Sequence, residues 1–114
     1  MTLEERLGNL IEKYGADEFT WGLVPLTQSK GPLLQELYAE LSETHPLYNR
    51  NIRWATARCH ANDDVLFLAE DEIYYIVHLT YSKTNSPGYP RYSEFAGLES
   101  AMTHIEKQYL KEDK

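Results

Sequence analysis

This chain has one cysteine, Cys59, among 114 residues, and no apolar run that approaches the length of a membrane span. A lone cysteine excludes an internal disulfide and fits a reducing compartment. The first ten residues, MTLEERLGNL, place two acids in their first turn and show no signal-peptide core, so the cytoplasm is the expected compartment. There is no C-x-x-C, no G-x-S-x-G, no H-E-x-x-H and no glycine-rich phosphate loop. No cofactor is implied, and the sequence leans away from an enzyme. Bases are scarce as well: 11 lysines and arginines stand against 18 acids, for a net charge of -7. Such a surface repels phosphate backbones, which disfavours nucleic acid. It suits plain solubility, or a basic protein partner.

What is present is ordinary globular material, 42% hydrophobic and 25% charged, enough for one domain over residues 1–114. The charge is uneven: residues 50–60 hold three arginines and no acid, and residues 61–81 hold five acids and no base. Thr2 and Glu5 form a capping box for a helix over 2–14, whose apolar face is Leu3, Leu7, Leu10, Ile11 and Tyr14. Gly15 stops it. Phe19, Trp21 and Val24 suit a short strand or a loop. Pro32 opens a second helix with Leu33, Leu34, Leu37, Tyr38 and Leu41 inward, predicted to end near Thr44 because His45 precedes Pro46. Residues 52–60 alternate like a strand, with Arg53, Ala55, Ala57 and Cys59 on one face and Trp54, Thr56, Arg58 and His60 on the other. Residues 64–81 read as a hairpin, Tyr92–Phe95 as a short edge strand, and Leu98–Leu110 as a closing helix. The predicted fold is α+β: an antiparallel sheet of three to four strands, with two N-terminal helices and one C-terminal helix packed on one face. The edge strand permits a dimer without requiring one.

The hairpin places His78 in the most apolar strand, and its turn decides what faces that histidine. A two-residue turn at Asp71-Glu72 or at Glu70-Asp71 puts Asp63 on the face of His78. A three-residue turn puts Asp64 there instead, because a slip of one residue exchanges the faces. Three readings compete. His78 can be a satisfied structural histidine bonded to Asp63, Asp64 or Thr80. It can share a metal with His60 and Asp63. It can act as a catalytic base with Asp63, near Cys59 as nucleophile, although Cys59 and His60 face opposite ways on one strand. The exposed-contact candidates are Asp63, Asp64, Glu70, Asp71, Tyr75, His78 and Tyr81, since tyrosines and acids suit recognition of a basic partner.

His60, Asp64-Val65-Leu66-Phe67, Asp71-Glu72, Val77-His78-Leu79-Thr80-Tyr81, Tyr89-Pro90 and Phe95 together resemble a family of small uncharacterised bacterial proteins. Its pattern is a histidine, D-V-x-F, an acidic-glycine turn, V-H-L-T-[WY] and an aromatic-proline pair. The chain departs from it at Glu72, where the pattern prefers glycine, and at Tyr81, where tryptophan is commoner. The resemblance covers the C-terminal half and implies a fold and a recurring His78, with no established activity. The expectation is a non-enzymatic, bacterial, cytoplasmic protein-binding module of an immunity-like kind. The rival is a small enzyme, or a ligand or metal binder, that uses His78, Asp63 and His60.

Overall fold

The computed structural model describes residues 2–25, 28, 30–70, 72–81 and 90–112. Helix α1 (Leu3–Tyr14) starts at the capping box: Glu5 N donates to Thr2 Oγ1 at 3.2 Å and Thr2 N to Glu5 Oε1 at 3.3 Å. Gly15, at φ 92°, ends it with its N–H on the Ile11 carbonyl. Strand β1 (Trp21–Leu23) follows, then α2 (Pro32–Glu40), β2 (Ile52–Cys59), β3 (Asp64–Ala69), β4 (Tyr74–His78), β5 (Arg91–Phe95) and α3 (Leu98–Glu112). The strands form one antiparallel meander in the order β1-β2-β3-β4-β5. Five strands replace the predicted three to four, because Trp21–Leu23 pairs with Ala57–Cys59 as a full edge strand. Among the described residues no helix is long and apolar enough to cross a membrane.

The helices cover both faces of the sheet, which corrects the one-face prediction. On one face α1 and α3 bury Leu7, Leu10, Met102 and Ile105 against Trp21, Ala57, Leu66 and Ile76. On the other, Leu37 and Leu41 from α2 and the segment after it, with Leu47, meet Ala55, Val65, Phe67, Tyr75 and Val77. A strand buried on both sides reads as a continuous apolar run, which is why DVLFLA and YYIVH show little alternation. α2 ends at Glu40 rather than Thr44, since Leu41 is already extended at ψ 121°.

The predicted shared face of Ala55 and Ala57 is also corrected. Ala55 pairs with Phe67 and Ala57 with Leu66, so an irregularity in β2 sends the two alanines to opposite cores. Thr56 lies at this point, and its hydroxyl donates to the Leu66 carbonyl at 2.8 Å.

The hairpin register is set by a three-residue connection. Ala69 N–H bonds the Ile73 carbonyl at 2.9 Å, and Leu68 pairs with Tyr74. Glu72 closes the connection at φ 63°, the left-handed region that glycine occupies without strain. Glu72→Gly is expected to raise stability by about 0.5–1 kcal/mol, read as a higher urea midpoint at unchanged m-value. A lower midpoint would show that the Glu72 side chain contributes more than its backbone strain costs.

Candidate functional site

Two polar sites occupy opposite faces of the sheet. The first is built on the hairpin register. Asp64 stands directly across from His78, so Asp64 and not Asp63 is its partner. Asp64 Oδ1 lies 2.8 Å from His78 Nδ1, and the Asp64 side chain is 12% exposed against 50% for His78. A carboxylate only accepts, so Nδ1 carries the proton and Nε2 is left for other partners. Asp64 is positioned by its own N–H, which bonds Asn62 Oδ1 at 2.8 Å. The pair lies in a cleft of about 300 Å³ with Arg91 and Ser93 of β5 and His104 and Gln108 of α3.

The other residues proposed for this site are elsewhere. The His60 ring lies over Gly22, so close that a Cβ there would come 2.8 Å from Nε2. Gly22 belongs to β1, three strand spacings, or about 14 Å, from β4. Cys59 is buried beside Trp21, its thiol 3.6 Å from Thr20 Oγ1. Asp63 is exposed, and its carbonyl accepts from Leu79 N at 3.1 Å. Among the described residues no three His, Cys, Asp or Glu side chains are grouped to hold a metal, so His60, His78 and Asp63 do not form the proposed metal set.

The second site was missed from sequence. Glu40, 2% exposed, ends α2 against the strand extension after β4. Its Oε1 accepts from Thr80 N at 2.8 Å and Thr80 Oγ1 at 2.9 Å, and its Oε2 from Tyr81 N at 2.9 Å. Burial by itself would raise the Glu40 carboxyl, but hydrogen bonds from Glu36, Thr80 and Tyr81 hold it below the ordinary range. Glu36, one turn earlier, is pushed up to about 7, first by its hydrogen bond to Glu40, then by burial and by the Glu40 charge. The two carboxyls share a proton. Tyr81 is held at φ 53°, with 51% of its surface exposed. Its hydroxyl is raised by burial, and among its neighbours the charges of Asp63, Glu36 and Glu40 raise it while Arg58 lowers it. The signal for Glu40 was available: an acid three residues after Leu37, on the apolar side of the helix.

His45 is a second histidine with its ring nitrogens satisfied, more deeply buried than His78, whose Nδ1 is bonded to Asp64. It is 7% exposed, its Nδ1 accepts from Leu47 N at 3.0 Å, and its Nε2 lies 2.9 Å from the Pro90 carbonyl. Since Nδ1 accepts, Nε2 carries the proton and donates.

The seven contact candidates do not form one surface. Tyr75 is completely buried in the α2 core, where a central strand turns it inward. Asp64 is engaged with His78. Glu70 stands at the far end of β3 and accepts from Asn51 Nδ2 at 2.5 Å. Asp71 and Tyr89 lie outside the described residues. Asp63, Arg58 and Glu36 lie near enough to Tyr81 for their charges to act on its hydroxyl.

The architecture is an α+β domain with a five-stranded antiparallel meander between two helical layers. No family model matches this chain, and no curated protein or solved structure is significantly similar to it.

Proposed function

We propose that this chain is a non-enzymatic protein-binding module of an immunity-like kind, acting in a bacterial cytoplasm on a basic partner. The reading is carried by Tyr81. A bulky residue at φ 53° is strained, and strain of this kind concentrates where surroundings fix a functional group. Here Glu40 fixes it, and the ring is half exposed with Asp63 and Glu36 nearby. A tyrosine fixed before binding loses little entropy on association and makes a strong anchor. The acids beside it and the net charge of -7 would draw a basic surface and set its orientation.

The test is capture from a lysate of the source organism, with salt elution, run in parallel on wild type and Tyr81→Ala. A stoichiometric basic protein should elute from wild type, and Tyr81→Ala should weaken its binding by about 30-fold, the effect of a hot-spot residue. Asp63→Lys should slow association and flatten the salt dependence. Equal capture by wild type and Tyr81→Ala would defeat this reading.

A further inference from the structure

A groove of about 410 Å³ opens at the other end of β2 and β3 from Asp63 and Tyr81, and it stands independently of the protein-binding reading. Helices α1 and α3 run parallel: Arg6 pairs with Glu99, and Lys13 with Glu106, the same distance further along each helix. Both helices therefore start at the same end of the sheet. The groove opens where α1 begins, with Thr2, Leu3 and Glu4 along one wall. Leu68 lies in it and is the one residue of β3 that is not buried. Trp54 is its partner across the ladder and is half-buried beside it.

The lining is mostly apolar, with Leu3, Leu23, Pro25, Trp54 and Leu68 facing the space. Leu23 is 43% exposed, a large aliphatic side chain presented to water on the edge strand. An apolar concavity of this size with a few polar groups at its margin is the usual form of a small-molecule site. The charge beside it is the reverse of the protein's net charge of -7. The Trp54 ring carries Arg53, whose guanidinium carbon is 4.7 Å from the ring centroid, and Lys30, whose Nζ is at 5.7 Å. Among the described residues neither cation forms an ion pair with a carboxylate. Contact with a ring uses the flat face of a guanidinium and leaves its in-plane N–H donors for an anion. Glu4 is the one acid in the lining, and it stands on the α1 side.

We propose that this groove binds a medium-chain fatty acid, one carboxylate on an aliphatic tail. The carboxylate is received by Arg53 and Lys30 beside Trp54, and the tail lies on Leu68, Leu3 and Leu23. Glu4 sets the direction, because a carboxylate placed beside it would be repelled. A flat aromatic acid would compete with both cations for the Trp54 ring, whereas an aliphatic tail packs without displacing them. A cationic amphiphile would meet two like charges. The volume of about 410 Å³ limits the tail to medium length.

The experiment is a titration of the full chain with decanoate below its micellar concentration, followed by the NMR resonance of the Trp54 indole N–H. Decanol keeps the tail without the charge, acetate keeps the charge without the tail, and decyltrimethylammonium reverses the charge. Decanoate should saturate the signal at one equivalent with a sub-millimolar dissociation constant, and the other three probes should bind at least about tenfold more weakly. Replacing both exposed cations, Lys30→Gln with Arg53→Gln, should weaken decanoate by about tenfold and leave decanol unchanged. Leu23→Ser, at an exposed position, should weaken both by about threefold. No saturable shift with decanoate would overturn the proposal, as would unchanged affinity in the double variant or equal binding of decyltrimethylammonium. A dimer in sedimentation that Leu23→Ser dissociates would give the groove to a second copy of the chain and overturn it too.

Discussion

Glu40→Ala is expected to lower stability by about 2–3 kcal/mol, because a charged acceptor that serves three donors is lost and α2 is released from the end of β4. Thr80 and Tyr81 are exposed residues, so water recovers part of the loss. Glu40→Gln should also destabilise, since its NH₂ group then faces a backbone N–H. The same site predicts a pH dependence with a definite sign. The Glu36 carboxyl stands at about 7 in the folded protein and 4.5 in its absence. The fold therefore holds this proton more tightly than the unfolded chain does. The stability it contributes is complete below about pH 4.5 and is lost as pH rises through about 7. Glu40 acts in the opposite sense: its carboxyl is lowered, so its contribution is present above 4.5 and lost as pH falls below that. The pair is thus most favourable in mildly acidic solution. Thermal midpoints across this range should fall toward pH 8 in wild type. Glu36→Gln keeps a permanent donor to Glu40 and should flatten that fall. Parallel pH profiles for the two proteins would remove the shared proton from this account.

Phe67→Ala should cost about 3–5 kcal/mol and Leu66→Ala about 2–5 kcal/mol, measured by urea denaturation. The two residues are consecutive in β3 and both are completely buried, each in a different core. Adjacent strand residues point to opposite faces, so two large losses at neighbouring positions are the signature of a sheet covered on both sides. If helices lay on one face only, one of the two substitutions would be nearly neutral. A near-neutral result at Leu66 would remove α1 and α3 from their face, and one at Phe67 would remove α2.

The candidate sites were readable from sequence in proportion to how local their causes are. Asp64 at His78 was one of the registers the turn allowed, and deciding among them needed the Ala69–Ile73 closure and Glu72 at positive φ. Asp63 and Tyr81 are exposed, whereas Tyr75 is buried, since whether both faces of its strand are covered depends on where the helices dock. His45 and Glu40 gain their partners across 45 and 40 residues of chain, at Pro90 and Thr80.

Helix α1, its capping box and its glycine stop, the edge strand β5, the hairpin and α3 followed from the residues themselves, because capping, turn conformation and 3.6-residue periodicity act within a few positions of the chain. The fifth strand, the division of helices between two faces, the switch between Ala55 and Ala57 and the two polar sites were decided by tertiary structure. Each depends on which segments meet across the sheet, and burial and hydrogen-bond satisfaction are settled only when those segments are in contact.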